Sequence, residues 1–335
     1  MTAKPPALFT MSPELVPRLY PEPLMRRLTA VLDIDPAGAV QRFEGPEADA
    51  ALSQAEVIVS GWGSARFDEA LLERAPRLRA ILHTAGSIKW HVSPLAWERG
   101  IAVSSSVGAN ALPVAEYTLG SILLAGKGIF TQREDFRARR SFTLGLIHEG
   151  VGNFGRVVGI VGASRIGRRL IELLRPFDFQ VLLSDPHVDA AEADRLGVRL
   201  VELDDLMAAS DVVTVHAPAL PETDDLIDAK RLAAMRDGAV LINTARGSLV
   251  NTDALTAELE SGRISAIIDV TEPEPLPTES VLYDLPNVFL TPHTAGSHGN
   301  ELARMGLFMV EEAERFIAGE PLVHTIDRDS LWKQA

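Results

Sequence analysis

The chain has 335 residues, 46% hydrophobic and 23% charged, an ordinary balance for a globular protein of about two domains with a sizeable core. Its formal net charge of −14 argues against nucleic acid or an anionic membrane surface as the main partner, although a local arginine can still hold a small anionic substrate. With no cysteine, disulfides, thiolate catalysis and zinc–thiolate centres are excluded and no metal site is expected; the N-terminus lacks a signal-type apolar region and no apolar run spans a membrane, so a cytoplasmic protein is the expectation.

Residues 7–10 read as a first strand and 24–32 as a helix, broken by Pro36 and Gly38. Residues 56–60 form a strand running into the Gly61-Trp62-Gly63 turn, and 68–75 a helix ended by Pro76. Residues 79–84 are a strand followed by Ala85-Gly86-Ser87, Ser93 caps a helix up to Gly100, and 101–105 return as a strand. Strands alternating with helices predict an open parallel α/β sheet. Val107-Gly108-Ala109-Asn110 is the crossing point to a second unit. Residues 113–127 form a long apolar helix whose surface predicts burial between domains or in a dimer interface. A second helical stretch runs to about Arg140, and 141–154 are loop. Strands follow at 157–161, 181–184, 211–215, 239–243, 266–270 and 288–291, with helices at 166–175, 190–196, 229–235 and 252–261. That is a doubly wound pattern, in which strand C-termini gather on one ligand-binding edge. Residues 300–318 are a last helix, able to return to the first domain.

Gly162-Ala163-Ser164-Arg165-Ile166-Gly167 joins the 157–161 strand to the helix after it. Such a turn aims free backbone N–H groups and the positive end of a helix dipole at one spot, which suits a pyrophosphate. About 20 residues on, the next strand ends in Asp185, an acid placed to accept from the adenosine ribose and repel a 2′-phosphate. NAD is therefore favoured over NADP. Ser164 stands where the pattern has its middle glycine; its hydroxyl can bond phosphate, but its Cβ takes space.

Three polar groups lie at the ends of successive late strands. Arg246 sits in Asn243-Thr244-Ala245-Arg246-Gly247, Glu274 in Asp269-Val270-Thr271-Glu272-Pro273-Glu274-Pro275, and His293 in Thr291-Pro292-His293-Thr294-Ala295-Gly296. Each alone has a bland reading: a structural ion pair, a solvated loop acid, a turn histidine. Together, after a dinucleotide turn, they form a coherent set. An arginine clamps a carboxylate with two parallel hydrogen bonds, a histidine moves a proton near neutral pH, and a carboxylate beside it fixes the tautomer and favours the imidazolium. With a nicotinamide, that set reduces a 2-oxo acid or oxidises a 2-hydroxy acid.

On these motifs the sequence resembles the D-isomer-specific 2-hydroxyacid dehydrogenase family, from about Arg79 to Gly296. The resemblance implies a flavodoxin-like substrate domain, residues 1–106 plus 297–335, with a Rossmann NAD-binding domain, 107–296, inserted in it and the active site between the two. It implies Arg246 as carboxylate clamp, His293 as acid/base and Glu274 as its partner, with the backbone of Gly86 and Ser87 helping to hold the carboxylate. For NAD(H) it implies Gly162, Ser164, Arg165, Ile166 and Gly167 at the pyrophosphate and Asp185 at the ribose. Ala217, Pro218, Thr244, Ala245, Asp269, His293 and Gly296 line the rest, with Asp269 near the carboxamide. It also implies a homodimer through the 113–127 region. The loop Ala85-Gly86-Ser87-Ile88-Lys89 departs from the common form, so the specificity is expected to be unusual. Lys89 is read as solvated rather than as a second anion site. Glu274 stands where formate dehydrogenases of the family carry Gln, which argues against formate, and the end at Ala335 leaves no room for a regulatory tail.

The rival from another class is an NAD(H)-sensing, corepressor-like binding protein with little turnover, against which the intact Arg246, Glu274 and His293 set argues. An L-type lactate or malate dehydrogenase is disfavoured because its glycine turn lies near the N-terminus, whereas here about 150 residues precede it.

Overall fold

The computed structural model describes residues 3–89, 91–141 and 150–329; residues 142–149 of the expected 141–154 loop lie outside the described residues. The chain divides into two units, one running up to Asn110 and resuming at Ser297, the other Ala111–Gly296.

The first unit is built on strands β1 (Ala7–Thr10), β2 (Val57–Ser60), β3 (Ala80–His83) and β4 (Ala102–Ser105), all parallel and in that spatial order. Helices α1 (Val16–Leu19), α2 (Glu22–Val31), α3 (Pro46–Gln54), α4 (Glu69–Arg74) and α5 (Leu95–Glu98) lie between them. The strands are short apolar runs because both sheet faces are covered. Successive side chains alternate faces, so Phe9, Val57, Val59 and Leu82 enter one core while Ile58, Ile81 and Val103 enter the other. Helix α3 is absent from the sequence expectation: only Leu52 of its residues is buried, so no apolar period marks it.

Helix α6 (Val107–Gly126) begins before residue 113, the expected start, and encloses Pro113. Ser105 Oγ accepts the Val107 N–H at 3.2 Å and Ser106 O accepts from Asn110 N at 3.0 Å, closing a first turn ahead of the proline. Pro113 only removes one helical donor further along. Helix α7 (Ile129–Arg139) follows.

The second unit carries β5 (Val157–Val161), α8 (Arg165–Leu174), β6 (Gln180–Ser184), α9 (Ala190–Leu196), β7 (Arg199–Leu200), α10 (Leu203–Ala209), β8 (Val212–Val215), α11 (Ala229–Ala234), β9 (Val240–Asn243), α12 (Thr252–Glu260), β10 (Ser265–Ile268) and β11 (Val288–Leu290). Its sheet is parallel throughout, in the order β11-β10-β9-β8-β5-β6-β7. β7 and α10 were not anticipated; β7 has two residues, too few for a pattern. Val161, Val213, Val215 and Leu241 face one core, and Val158, Ile160, Val212 and Ile242 the other. The strand order reverses at β5, whose neighbours are β6 and β8, and such a switch point opens a crevice at the strand C-termini.

Helix α13 (Leu302–Ala318) packs Met305, Met309, Val310 and Ala313 into the core of the first unit. Among the described residues, no helix is long and apolar enough to cross a membrane.

Candidate active site

The turn after β5 is shaped by two sterically obligatory glycines. Gly162 has φ +99, and a Cβ there would lie 2.6 Å from Ala217 N. A Cβ on Gly167 would overlap the Gly162 carbonyl oxygen. Ser164 has φ −64 and ψ −179, an extended conformation open to any residue, so the middle position does not need glycine. Its Oγ accepts from Gly167 N at 3.4 Å and caps α8. Arg165 opens α8 and is exposed, Ile166 is half-buried, and N–H groups at such a helix start can receive an anion.

The neighbouring strand ends converge on that turn. Val161 is in register with Ser184 on one side and Val215 on the other. Asp185 and the Ala217-Pro218 segment therefore flank Gly162. Asp185 Oδ2 accepts from Ala163 N at 2.7 Å and Oδ1 from His187 N at 2.7 Å, so the acid also braces the turn itself. A turn with two positions that admit no Cβ, a capped helix N-terminus and an acid at the next strand end together fit a dinucleotide.

Arg246, Glu274 and His293 are gathered by a second register. Ile268 pairs with Asn243 of β9 and with Leu290 of β11, so these strands end level and their following loops meet. The buried Asn243 fixes the Arg246 turn: its Oδ1 accepts from Ala245 N at 3.1 Å and its Nδ2 donates to Arg246 O at 2.9 Å. Thr244 and Ala245 are buried beside it. Arg246 is exposed over part of its length, yet burial around its guanidinium lowers its pKa from the ordinary value, an effect the Glu274 charge opposes.

His293 Nδ1 lies 2.6 Å from Glu274 Oε1. An ionised carboxylate only accepts, so Nδ1 carries the proton and Nε2 is left for another partner. Both side chains are about half exposed, at 50% and 42%. His293 takes the left-handed φ of 54, uncommon for a residue with a Cβ. The loop around it hangs on Asp269, only 2% exposed. Asp269 O accepts from His293 N at 2.9 Å. Asp269 Oδ1 accepts from Thr294 N at 2.7 Å and from Thr291 Oγ1 at 2.5 Å, and Oδ2 from Ala295 N at 2.9 Å. Gly296 closes this loop and is the last residue of the unit.

In the first unit, Gly86 and Ser87 follow β3, half-buried. Ser105 Oγ donates to Gly86 O at 2.6 Å, and Ser87 Oγ accepts from Lys89 N at 3.2 Å. The sequence reasoning missed Tyr117 and Thr118, whose hydroxyls reach Thr291 and Thr244. Two adjacent hydroxyls in the largely apolar α6 were the available signal. Among the described residues no group of three or more His, Cys, Asp or Glu could hold a metal ion.

The second unit is doubly wound and brings an arginine, a carboxylate and a histidine together on adjacent loops. Residues 119–295 match the family profile described as D-isomer specific 2-hydroxyacid dehydrogenase, NAD binding domain. The chain is 34% identical over 280 residues to D-3-phosphoglycerate dehydrogenase of Mycobacterium tuberculosis, covering 82% of this chain and 50% of that one. It is 33% identical over 290 residues to glyoxylate/hydroxypyruvate reductase B of Yersinia enterocolitica, covering 84% and 87%. Its fold superposes on the 2-hydroxyacid dehydrogenase of Ketogulonicigenium vulgare with a TM-score of 0.75 at 26% identity, covering 97% and 99%. The chain belongs to the D-isomer specific 2-hydroxyacid dehydrogenase family, and its second unit carries that family's NAD-binding domain. It spans about half the length of the phosphoglycerate dehydrogenases it matches.

Proposed function

We propose that the chain interconverts a D-2-hydroxy acid and its 2-oxo acid by hydride transfer with NAD(H). The observation that carries the reading is the His293–Glu274 pair beside Arg246 on three level strand ends. The two relatives reported above are named as a dehydrogenase and a reductase, which supports turnover over the corepressor-like reading.

In this reading Ala111–Gly296 is the NAD-binding domain and the remainder the substrate domain. Gly162, Ser164, Arg165, Ile166 and Gly167 hold the pyrophosphate and Asp185 the ribose. Ala217, Pro218, Thr244, Ala245, Asp269, His293 and Gly296 line the remaining cofactor surface. NAD(H) supplies the hydride chemistry at the nicotinamide. Arg246 takes the substrate carboxylate with two parallel N–H···O bonds. In reduction, Nε2 of His293 gives its proton to the carbonyl oxygen; in oxidation it takes that proton back. Glu274 keeps Nδ1–H in place and stabilises the charged ring.

NADH oxidation against glyoxylate, hydroxypyruvate, pyruvate, phenylpyruvate and 3-phosphohydroxypyruvate, with NADPH in parallel, tests the reading. Turnover with NADH is expected, and Arg246→Ala should lower kcat/KM by roughly a thousandfold, the loss of a bidentate charged contact. Near-native activity in that variant refutes the assignment. NADH binding without turnover across the panel favours the sensor.

The cytoplasmic placement and the homodimer belong to the same reading. Leu124, Ile129, Phe136 and Phe154 are 46%, 43%, 56% and 88% exposed, apolar area of the kind a subunit interface covers. A monomer by sedimentation would remove the dimer from the proposal.

A further inference from the structure

Two consecutive residues of α6 reach the loops that carry His293 and Arg246. Tyr117 Oη lies 2.8 Å from Thr291 Oγ1, and Thr118 Oγ1 lies 3.2 Å from Thr244 Oγ1. A hydroxyl has a single proton to donate. Thr291 donates its proton to Asp269 Oδ1 at 2.5 Å, so it must accept from Tyr117. Thr118 donates to Val114 O at 2.8 Å, so it must accept from Thr244. The first relay therefore runs one way, from Tyr117 through Thr291 to Asp269.

Asp269 is where that relay meets the acid–base loop. Its carboxylate is nearly fully buried and collects the N–H groups of Thr294 and Ala295, the two residues after His293. A buried carboxylate holds its surroundings rigid only while its donors stay aimed at it. Tyr117 keeps the Thr291 hydroxyl turned toward Oδ1. Burial, and more weakly the Asp269 charge, push the Tyr117 hydroxyl above its ordinary range against the pull of the Thr291 bond, so the phenol keeps its proton.

We propose that Tyr117 is a positioning residue for proton transfer: through Thr291 and Asp269 it fixes the left-handed turn that aims His293. The inference rests on the acid–base role proposed for His293. Thr118 only accepts from Thr244 of the Arg246 loop, across a longer bond of 3.2 Å.

Tyr117→Phe keeps the ring and removes only the donor, Thr291→Val removes the next link, and the double variant closes a cycle in the full chain. Tyr117→Phe should lower kcat about fivefold, the effect of one neutral hydrogen bond, with KM and the Kd for NADH unchanged. Because both groups act through one bond to Asp269, the double variant should be no slower than Thr291→Val. Unchanged kcat in Tyr117→Phe, fully multiplicative losses, or a lower melting temperature with kcat intact would each overturn the relay. His293→Asn separates the two layers. If it still turns over, the acid–base reading and the relay both fall; if it is inactive while Tyr117→Phe is normal, only the relay falls.

Discussion

Gly247 stands so close to the carbonyl of Thr271 that a β-carbon at 247 would overlap both its carbon and its oxygen. The Arg-Gly pair thus brings the loop after β9 against the loop after β10, and Arg246 toward Glu274, because no side chain intervenes. Gly247→Ala should push these loops apart, costing on the order of 2–4 kcal/mol of stability and more than tenfold in kcat/KM. Thermal unfolding and steady-state kinetics would show both; a native melting temperature would contradict the packing argument.

Glu274→Gln keeps an oxygen for His293 Nδ1–H but removes the charge that stabilises the protonated ring. In the proposed mechanism kcat should fall roughly 10- to 100-fold with little change in KM. Unchanged kcat would reduce Glu274 to a simple hydrogen-bond acceptor.

Asp185 both faces the expected ribose position and braces the phosphate turn through Ala163 N. Asp185→Ser should therefore weaken NADH binding about 10- to 100-fold without an equal gain for NADPH, since the turn itself loosens. Fluorescence titration with both cofactors would check this, and a clean switch to NADPH would show that bracing is dispensable.

His83 and His216 are buried, and burial pushes both from the ordinary 6.5 down to about 3, His83 with a smaller push from His91. The folded chain therefore keeps both rings neutral where the unfolded chain has protonated them. The unfolded state binds more protons below pH 6.5, so stability falls as pH drops from about 6.5 toward 3, by roughly 1.4 kcal/mol per pH unit for each ring. The urea midpoint should drop between pH 7 and pH 5. In His83→Asn, whose amide can still reach Ser60, the drop should be smaller. Parallel pH dependences in the two proteins would count against this origin.

The sequence by itself determined the alternation of strands and helices, the phosphate turn and the three polar groups at strand ends. These are local: a glycine that must take a positive φ, an apolar run of strand length, and an acid one residue past a strand are all visible in short windows. Several things were decided only by the tertiary structure. Helix α6 starts before Pro113 because hydroxyls and carbonyls of the β4 end complete its first turn, which no helix propensity encodes. Ser164 fits the turn because its backbone is extended, and glycine is needed at 162 because Ala217, just past β8, approaches it closely. The meeting of Arg246, Glu274 and His293 comes from β9, β10 and β11 ending level, and register is a property of paired strands rather than of any one of them. The hydroxyl relay from Tyr117 to Asp269 spans 174 residues in its first step, and only the packing of α6 on the sheet brings those atoms within hydrogen-bond reach.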